Sequence, residues 1–247
     1  MNWARRGFSR IPGWVITGAG CVIAGIVIGY AIAQWTSSSF IGHFESPGSI
    51  LVAADQRTIT ASAGGSCLTG SLDVQESPDT VTVRLHVWPV AMIAPGACAM
   101  EIFTARLHSP LGSRQLVDGV TGARLPAFPG QGILRPAFLP SGFVHRYDAA
   151  FLNSDTVAGA TAGCTQVYTQ TDSYDEAIWI SQIAGGRWRT PPGVTATPIM
   201  VGGQPGLAIN GEIEWTRHGQ LFTIQSMTYA YATLGTPDLI AIADSLR

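Results

Sequence analysis

The longest run in the hydropathy pattern stands at the start of the chain. From Trp14 to Trp35 there is no charged side chain. At about 1.5 Å per residue a helix of that length spans roughly 33 Å, enough to cross the hydrocarbon core of a bilayer. Arg5, Arg6 and Arg10 precede it and no Lys or Arg follows until Arg57. This asymmetry predicts a cytoplasmic tail over 1–13, a transmembrane helix over 14–35 and everything later outside, in the cell membrane as a single-pass protein. Trp14, Tyr30 and Trp35 suit the two interfaces. A cleaved secretory signal is the competing reading, because Ala31-Ile32-Ala33 has the small-x-small form of a cleavage site and the secreted chain would begin after Ala33. The apolar run is longer than a usual signal core, which favours a retained signal-anchor. Cys21 is placed wrongly for lipidation, since most of the run follows it, and it reads as an intramembrane residue. Gly25 and Gly29 form a small-xxx-small pair that fits helix pairing in a homodimer.

Beyond the run the period changes. Residues 36–49, with Ser37-Ser38-Ser39 and Pro47-Gly48, read as a linker. From Thr80 to Trp88 the chain alternates, with Val81, Val83, Leu85 and Val87 on one face and Thr82, Arg84 and His86 on the other, as in a half-buried strand. Ile50-Leu51-Val52, Arg57 to Ala61, Leu72-Asp73-Val74, Met100 to Leu107 and Gln115-Leu116-Val117 are further strand candidates, and Asp118-Gly119 reads as a hairpin turn. No helical period appears, so 50–129 is expected to form a small antiparallel β-sandwich.

Between Leu125 and Pro140 four prolines and two glycines interrupt every period, which predicts a boundary near Gly130. In 130–247 the strand candidates are the segment from Phe143, Thr165 to Thr169, Ala177 to Ile183, Leu207 to Ile209, Glu212 to Trp215 and Gln220 to Ser226. Asn210-Gly211 is the strongest hairpin signal and His218-Gly219 a second turn. Ala149 to Gly163, rich in Ala, Gly and Thr, reads as a surface loop. Thr236 is placed to cap a final helix with Pro237 at its first position, burying Leu239, Ile242, Ala243 and Leu246. The expected fold class is thus one N-terminal transmembrane helix followed by a mainly β, α+β body: the sandwich module, then a curved antiparallel sheet packed by a C-terminal helix.

Composition narrows the chemistry. All 14 basic residues are Arg, as a GC-rich genome would write them, and the missing Lys removes P-loop and Schiff-base chemistry. Without the three N-terminal arginines, 11 Arg face 16 acidic residues, a balance that does not favour nucleic acid. Cys67, Cys98 and Cys164 fall outside the apolar run. In an oxidising exterior Cys67 with Cys98 is the expected disulfide, contributing roughly 3–4 kcal/mol in the loop-entropy picture. Cys164 is then a buried thiol, a partner-linking thiol, or a sign that the pairing is different.

Two resemblances add to this. The Cys67 segment, Glu76-Ser77-Pro78-Asp79-Thr80-Val81-Thr82-Val83, Cys98, Pro110-Leu111-Gly112-Ser113-Arg114 and Val117 to Gly122 resemble a two-cysteine β module of secreted and lipid-anchored proteins of GC-rich bacteria, over about 60 residues. Leu139-Pro140-Ser141-Gly142-Phe143, the Trp179 strand, Met200-Val201-Gly202-Gly203, Asn210 to Gly219 and Asp238 to Leu246 resemble an uncharacterised bacterial extracytoplasmic domain, often joined by one span to an anti-sigma-factor segment. That resemblance implies a half-barrel like that of lipoprotein carriers and periplasmic sigma-factor regulators. Only thirteen residues precede the apolar run here, so a cytosolic anti-sigma domain is not expected.

No constellation predicts catalysis, a cofactor or a metal. Asp172, Asp175 and Glu176 lack the spacing of a calcium loop, the five histidines are scattered, and Ser66 has no elbow motif around it. Trp179, Trp188 and Trp215 read as core aromatics, or as the lining of a ligand groove in the half-barrel. The favoured function is a noncatalytic, membrane-anchored extracytoplasmic protein binding another envelope or membrane protein. A carrier or sensor of an apolar ligand and an envelope hydrolase are the alternatives.

Overall fold

The computed structural model describes residues 42–63, 68–89, 100–153, 161–170, 176–186, 193–228 and 234–247. The predicted cytoplasmic tail and transmembrane segment, Gly25, Gly29, Cys67, Cys98, Trp188 and the Asp172–Asp175 stretch lie outside the described residues. Among the described residues no helix is long and apolar enough to cross a membrane.

Among the described residues, the body from His43 to Arg247 is mostly strand, with one α-helix at its end. Its strands are β1 (His43–Glu45), β2 (Ile50–Val52), β3 (Thr58–Ala63), β4 (Leu68–Glu76), β5 (Thr80–Pro89), β6 (Glu101–Arg106), β7 (Gln115–Asp118), β8 (Ala127–Pro129), β9 (Phe143–Asn153), β10 (Thr161–Gln170), β11 (Glu176–Ala184), β12 (Thr197–Val201), β13 (Gln204–Ile209), β14 (Glu212–Arg217) and β15 (Gln220–Thr228), and the helix is α1 (Thr236–Asp244).

Two four-stranded sheets come first. In one, β5 has β4 on one side and both β1 and β7 on the other; the second runs β6-β3-β2-β8. The alternation of β5 is realised, with Val81, Val83, Leu85 and Val87 all buried, and Ile50, Ile59, Ala61, Phe103 and Leu116 from both sheets close the same core. The pairing is not wholly antiparallel. β2 with β8 and β5 with β7 run parallel. Two stretches expected to be connectors are built in: β1 falls within 36–49, and β8 within the proline-rich segment after Leu125.

β9 to β15 form a seven-stranded antiparallel sheet in the order β12-β13-β14-β15-β11-β10-β9. Three successive two-residue turns build its β12–β15 meander. Asn210-Gly211 and His218-Gly219 have positive φ at both residues, as type I′ hairpins require, and so does Gly202-Gly203, a turn not among those expected. α1 is capped by Gly235, not Thr236. The Gly235 amide donates to Asp238 Oδ2 at 3.1 Å, and the Asp238 amide donates back to the Gly235 carbonyl at 3.0 Å. Leu239, Ile242, Ala243 and Leu246 pack onto Ile180, Ile213, Trp215, Phe222 and Ile224, as the spacing predicted.

The stretch read as a surface loop is strand at both of its described ends, 149–153 and 161–163. Ala149 and Ala150 belong to β9, and Ala162 and Gly163 to β10. The small residues are there because two layers meet closely: Leu51, Phe128, Ala150, Ala162 and Cys164 form a separate buried cluster. A Cβ on Gly163 would fall 2.3 Å from the Phe151 ring. β2 is therefore buried on both faces, Ile50 and Val52 toward one core and Leu51 toward the other, which explains its uninterrupted apolar run.

Candidate functional site

Antiparallel partners share a face, so the pairings Gln166 with Ile180, Ile180 with Ile224 and Trp215 with Phe222 define one side of the seven-stranded sheet. That side holds α1 at one end and Leu51 with Phe128 at the other. Trp215 is 2% exposed and stacks on Phe222 with ring centroids 5.2 Å apart and planes 19° apart. Trp179 pairs with Val167 and Gln225, which puts it on the opposite side. The structure does not bring Trp179 and Trp215 together. A groove lined by both is corrected on this point, because alternation in the sheet separates them.

Between the two apolar clusters runs a polar seam. Gln166 and Gln182 are wholly buried and both serve Leu134. Gln182 Oε1 accepts from the Leu134 amide at 3.2 Å, while Gln182 Nε2 and Gln166 Nε2 donate to its carbonyl at 3.0 and 2.8 Å. Tyr168 donates to Gln166 Oε1 at 2.8 Å. A part-buried backbone amide and carbonyl outside any strand need partners, and these two side chains supply them.

The seam ends in a charged cluster that no sequence spacing announced. A bulge in β9 makes Val167 pair with Tyr147 and Tyr168 with His145, leaving Arg146 as the extra residue. The bulge turns His145 to the same side as Asp148. His145 Nε2 lies 2.8 Å from Asp148 Oδ1, and Arg135 donates to Asp148 Oδ2 at 2.6 Å. Burial works to raise the Asp148 carboxyl, but the hydrogen bonds from His145 and Arg135 outweigh it and hold it below the usual value. The backbone of Arg135 exchanges two hydrogen bonds with Arg247, tying the chain end into the same place. An Asp-oriented imidazole can move protons. Cys164 is the nearby candidate nucleophile, and it has no exposure, with burial pushing its thiol up to about 12. Among the described residues that makes the cluster a clamp on residues 134–135 rather than a nucleophile–base pair.

On the far side of the sheet Glu212 and Glu214 lie two residues apart on β14. Burial raises both, and Glu212 raises Glu214 further. Glu214 Oε2 is buried with no hydrogen-bond partner. Among the described residues no group of three His, Cys, Asp or Glu side chains is arranged to hold a metal ion.

A cleft of about 580 Å³ opens where the first sheets meet the seven-stranded sheet. Arg124, Leu125, Pro126, Ala127 and Phe128 line it from one side and Thr161, Ala162 and Ala184 from the other. Among the described residues its lining holds two arginines and no carboxylate. Arg114 is committed elsewhere, donating to Glu76 and to the carbonyls of Ser109, Pro110 and Leu111. β8 is the edge strand beside the cleft. Ile50 donates to the Pro126 carbonyl, so in this parallel pair the amide and carbonyl of Ala127 point away from β2. A smaller, polar hollow at the end of α1 is lined by Gln204, Arg217, His218 and Asp244, with Arg217 donating to the Leu246 carbonyl at 3.2 Å. The chain matches no protein-family model and no curated protein.

Proposed function

We propose that the protein is a single-span envelope protein whose exterior β-rich body binds another envelope or membrane protein without catalysis. The seven-stranded sheet with α1 is the half-barrel of this reading, and the apolar segment over 14–35 is its anchor. The observation that supports partner binding is the cleft beside β8, which among the described residues has an open strand edge, an apolar floor at Phe128 and Ala162, and an unpaired cationic rim at Arg124. An extended segment of a partner, acidic near one end, fits such a site by adding to the edge. The space beneath α1 is filled by Trp215, Phe222, Ile213 and Ile224, which weighs against a carrier of an apolar ligand. A photo-crosslinking residue in place of Arg124, used in native membranes, tests the reading. It predicts a crosslink to one other protein that is lost when Ala127 is replaced by Pro, and self-crosslinks alone would count against it.

A further inference from the structure

The outward face of β5 carries an aromatic row that no core or cleft uses. Phe44 and His86 pair across β1 and β5 with ring centroids 4.9 Å apart, and His86 meets Trp88 edge-on at 5.3 Å. Phe44 is 44% and Trp88 37% exposed, and both are among the most open large apolar side chains of the described body. Arg84 lies with its guanidinium 3.8 Å from the Phe44 ring centre while donating to Asp73 at 2.8 Å, so a cation is held flat against the row.

The geometry points to this row as the surface that lies on the lipid bilayer, with Phe44 and Trp88 seated among the headgroups and Arg84 beside them. The inference rests on the anchor reading above. Three observations favour lipid over another occupant. Phe44 follows Trp35 by nine residues, a reach of at most about 30 Å, so the row cannot travel far from the membrane that holds the anchor. β1, the first strand of the body, pairs with the end of β5, with His43 opposite Val87 and Phe44 opposite His86, so the row includes the strand nearest in sequence to the apolar run. In sequence, no Asp, Glu or Arg occurs from Gln34 to Gly42 or from Val87 to Met100, and the acids beside the row are partnered, Asp73 by Arg84 and Glu45 by His43. Trp and Phe beside an Arg are the side chains that partition to this interface.

The test uses the full chain reconstituted in discs of phosphatidylglycerol and phosphatidylethanolamine with acyl chains brominated near the carbonyl end. Comparing the Trp88→Phe variant with the parent isolates one tryptophan from the others. The expected result is that the parent loses Trp88 emission to the brominated lipid, so the difference spectrum vanishes in brominated discs and persists in plain ones. Trp215→Phe is the buried control, and its difference spectrum should survive in both. If the chain enters discs but Trp88 stays bright, and is instead quenched by aqueous iodide, the row is open to a protein or glycan and membrane docking is overturned while the anchor stands. If the chain does not enter discs at all, the anchor reading fails and docking fails with it.

Discussion

The hydroxyl of Ser62, on β3, donates a 2.8 Å hydrogen bond to the carbonyl of Ala150, on β9, 88 residues later. β9 is the last strand of the seven-stranded sheet, and an edge strand left bare invites unwanted pairing. Here the first sheets cover part of that edge. The same contact lays Leu51 onto Ala150, Ala162 and Cys164.

Leu51→Ala should therefore destabilise the whole body, not the first sheets alone. A buried Leu→Ala change costs about 2–5 kcal/mol. In chemical unfolding of the full chain followed by fluorescence, the midpoint should fall for the tryptophans of both sheet systems together. A loss below about 0.5 kcal/mol, or one confined to one probe, would sink the interlayer role.

Glu76 should make stability fall in acid. Its carboxylate accepts from Arg114 at 2.7 Å and from the His108 amide at 2.7 Å, and these bonds hold it down at about 2 against an ordinary 4.5. The unfolded chain binds the proton first as pH drops. The stabilisation is thus complete above about 4.5 and lost progressively down to about 2. Glu76→Gln should lower the melting temperature at pH 7 and leave the two proteins alike near pH 2.

Glu212 and Glu214 should act in the opposite sense. Their folded carboxyls titrate above the ordinary value, so the fold binds protons that the unfolded chain has already released, and stability drops as pH rises through the raised values. Glu214→Gln relieves both the buried charge and its repulsion from Glu212. The variant should melt higher than the parent at pH 7, with the gain shrinking as pH falls through the raised values and gone below about 4.5.

Cys164 should resist alkylation at pH 8 for as long as the protein is folded, because it is unexposed and its thiol sits near 12. Mass spectrometry after brief iodoacetamide treatment should find it unmodified, and fully modified once denaturant is added. The same digest reads whether Cys67 and Cys98 are linked as the sequence predicts. Labelling of folded Cys164 at the rate of a free thiol would contradict the packing around it.

Much of the fold could be read along the chain wherever one residue's neighbours decide its structure. The alternation of β5, the Asn210-Gly211 turn and the apolar face of α1 are local, and they came out as expected. The two ends of the Ala149 to Gly163 stretch misled because small residues signal close layer packing as well as loops, and only the partner layer at Leu51 and Phe128 distinguishes the two. The His145–Asp148 pair was invisible for a different reason. Three residues apart on a regular strand they would face opposite ways, and the bulge at Arg146 that turns them together depends on the register with β10. The opposite facing of Trp179 and Trp215 is likewise a matter of pairing between strands distant in sequence.

β2 is three residues long, yet it has a layer on each side. A gene fragment ending after Pro129 would express Leu51 and Phe128 as sticky surface, and one starting at Gly130 would leave Cys164 and the alanines around it wet. Neither half is a free-standing cassette for shuffling. Evolution, or an engineer, has to move residues 43 to 247 as one piece.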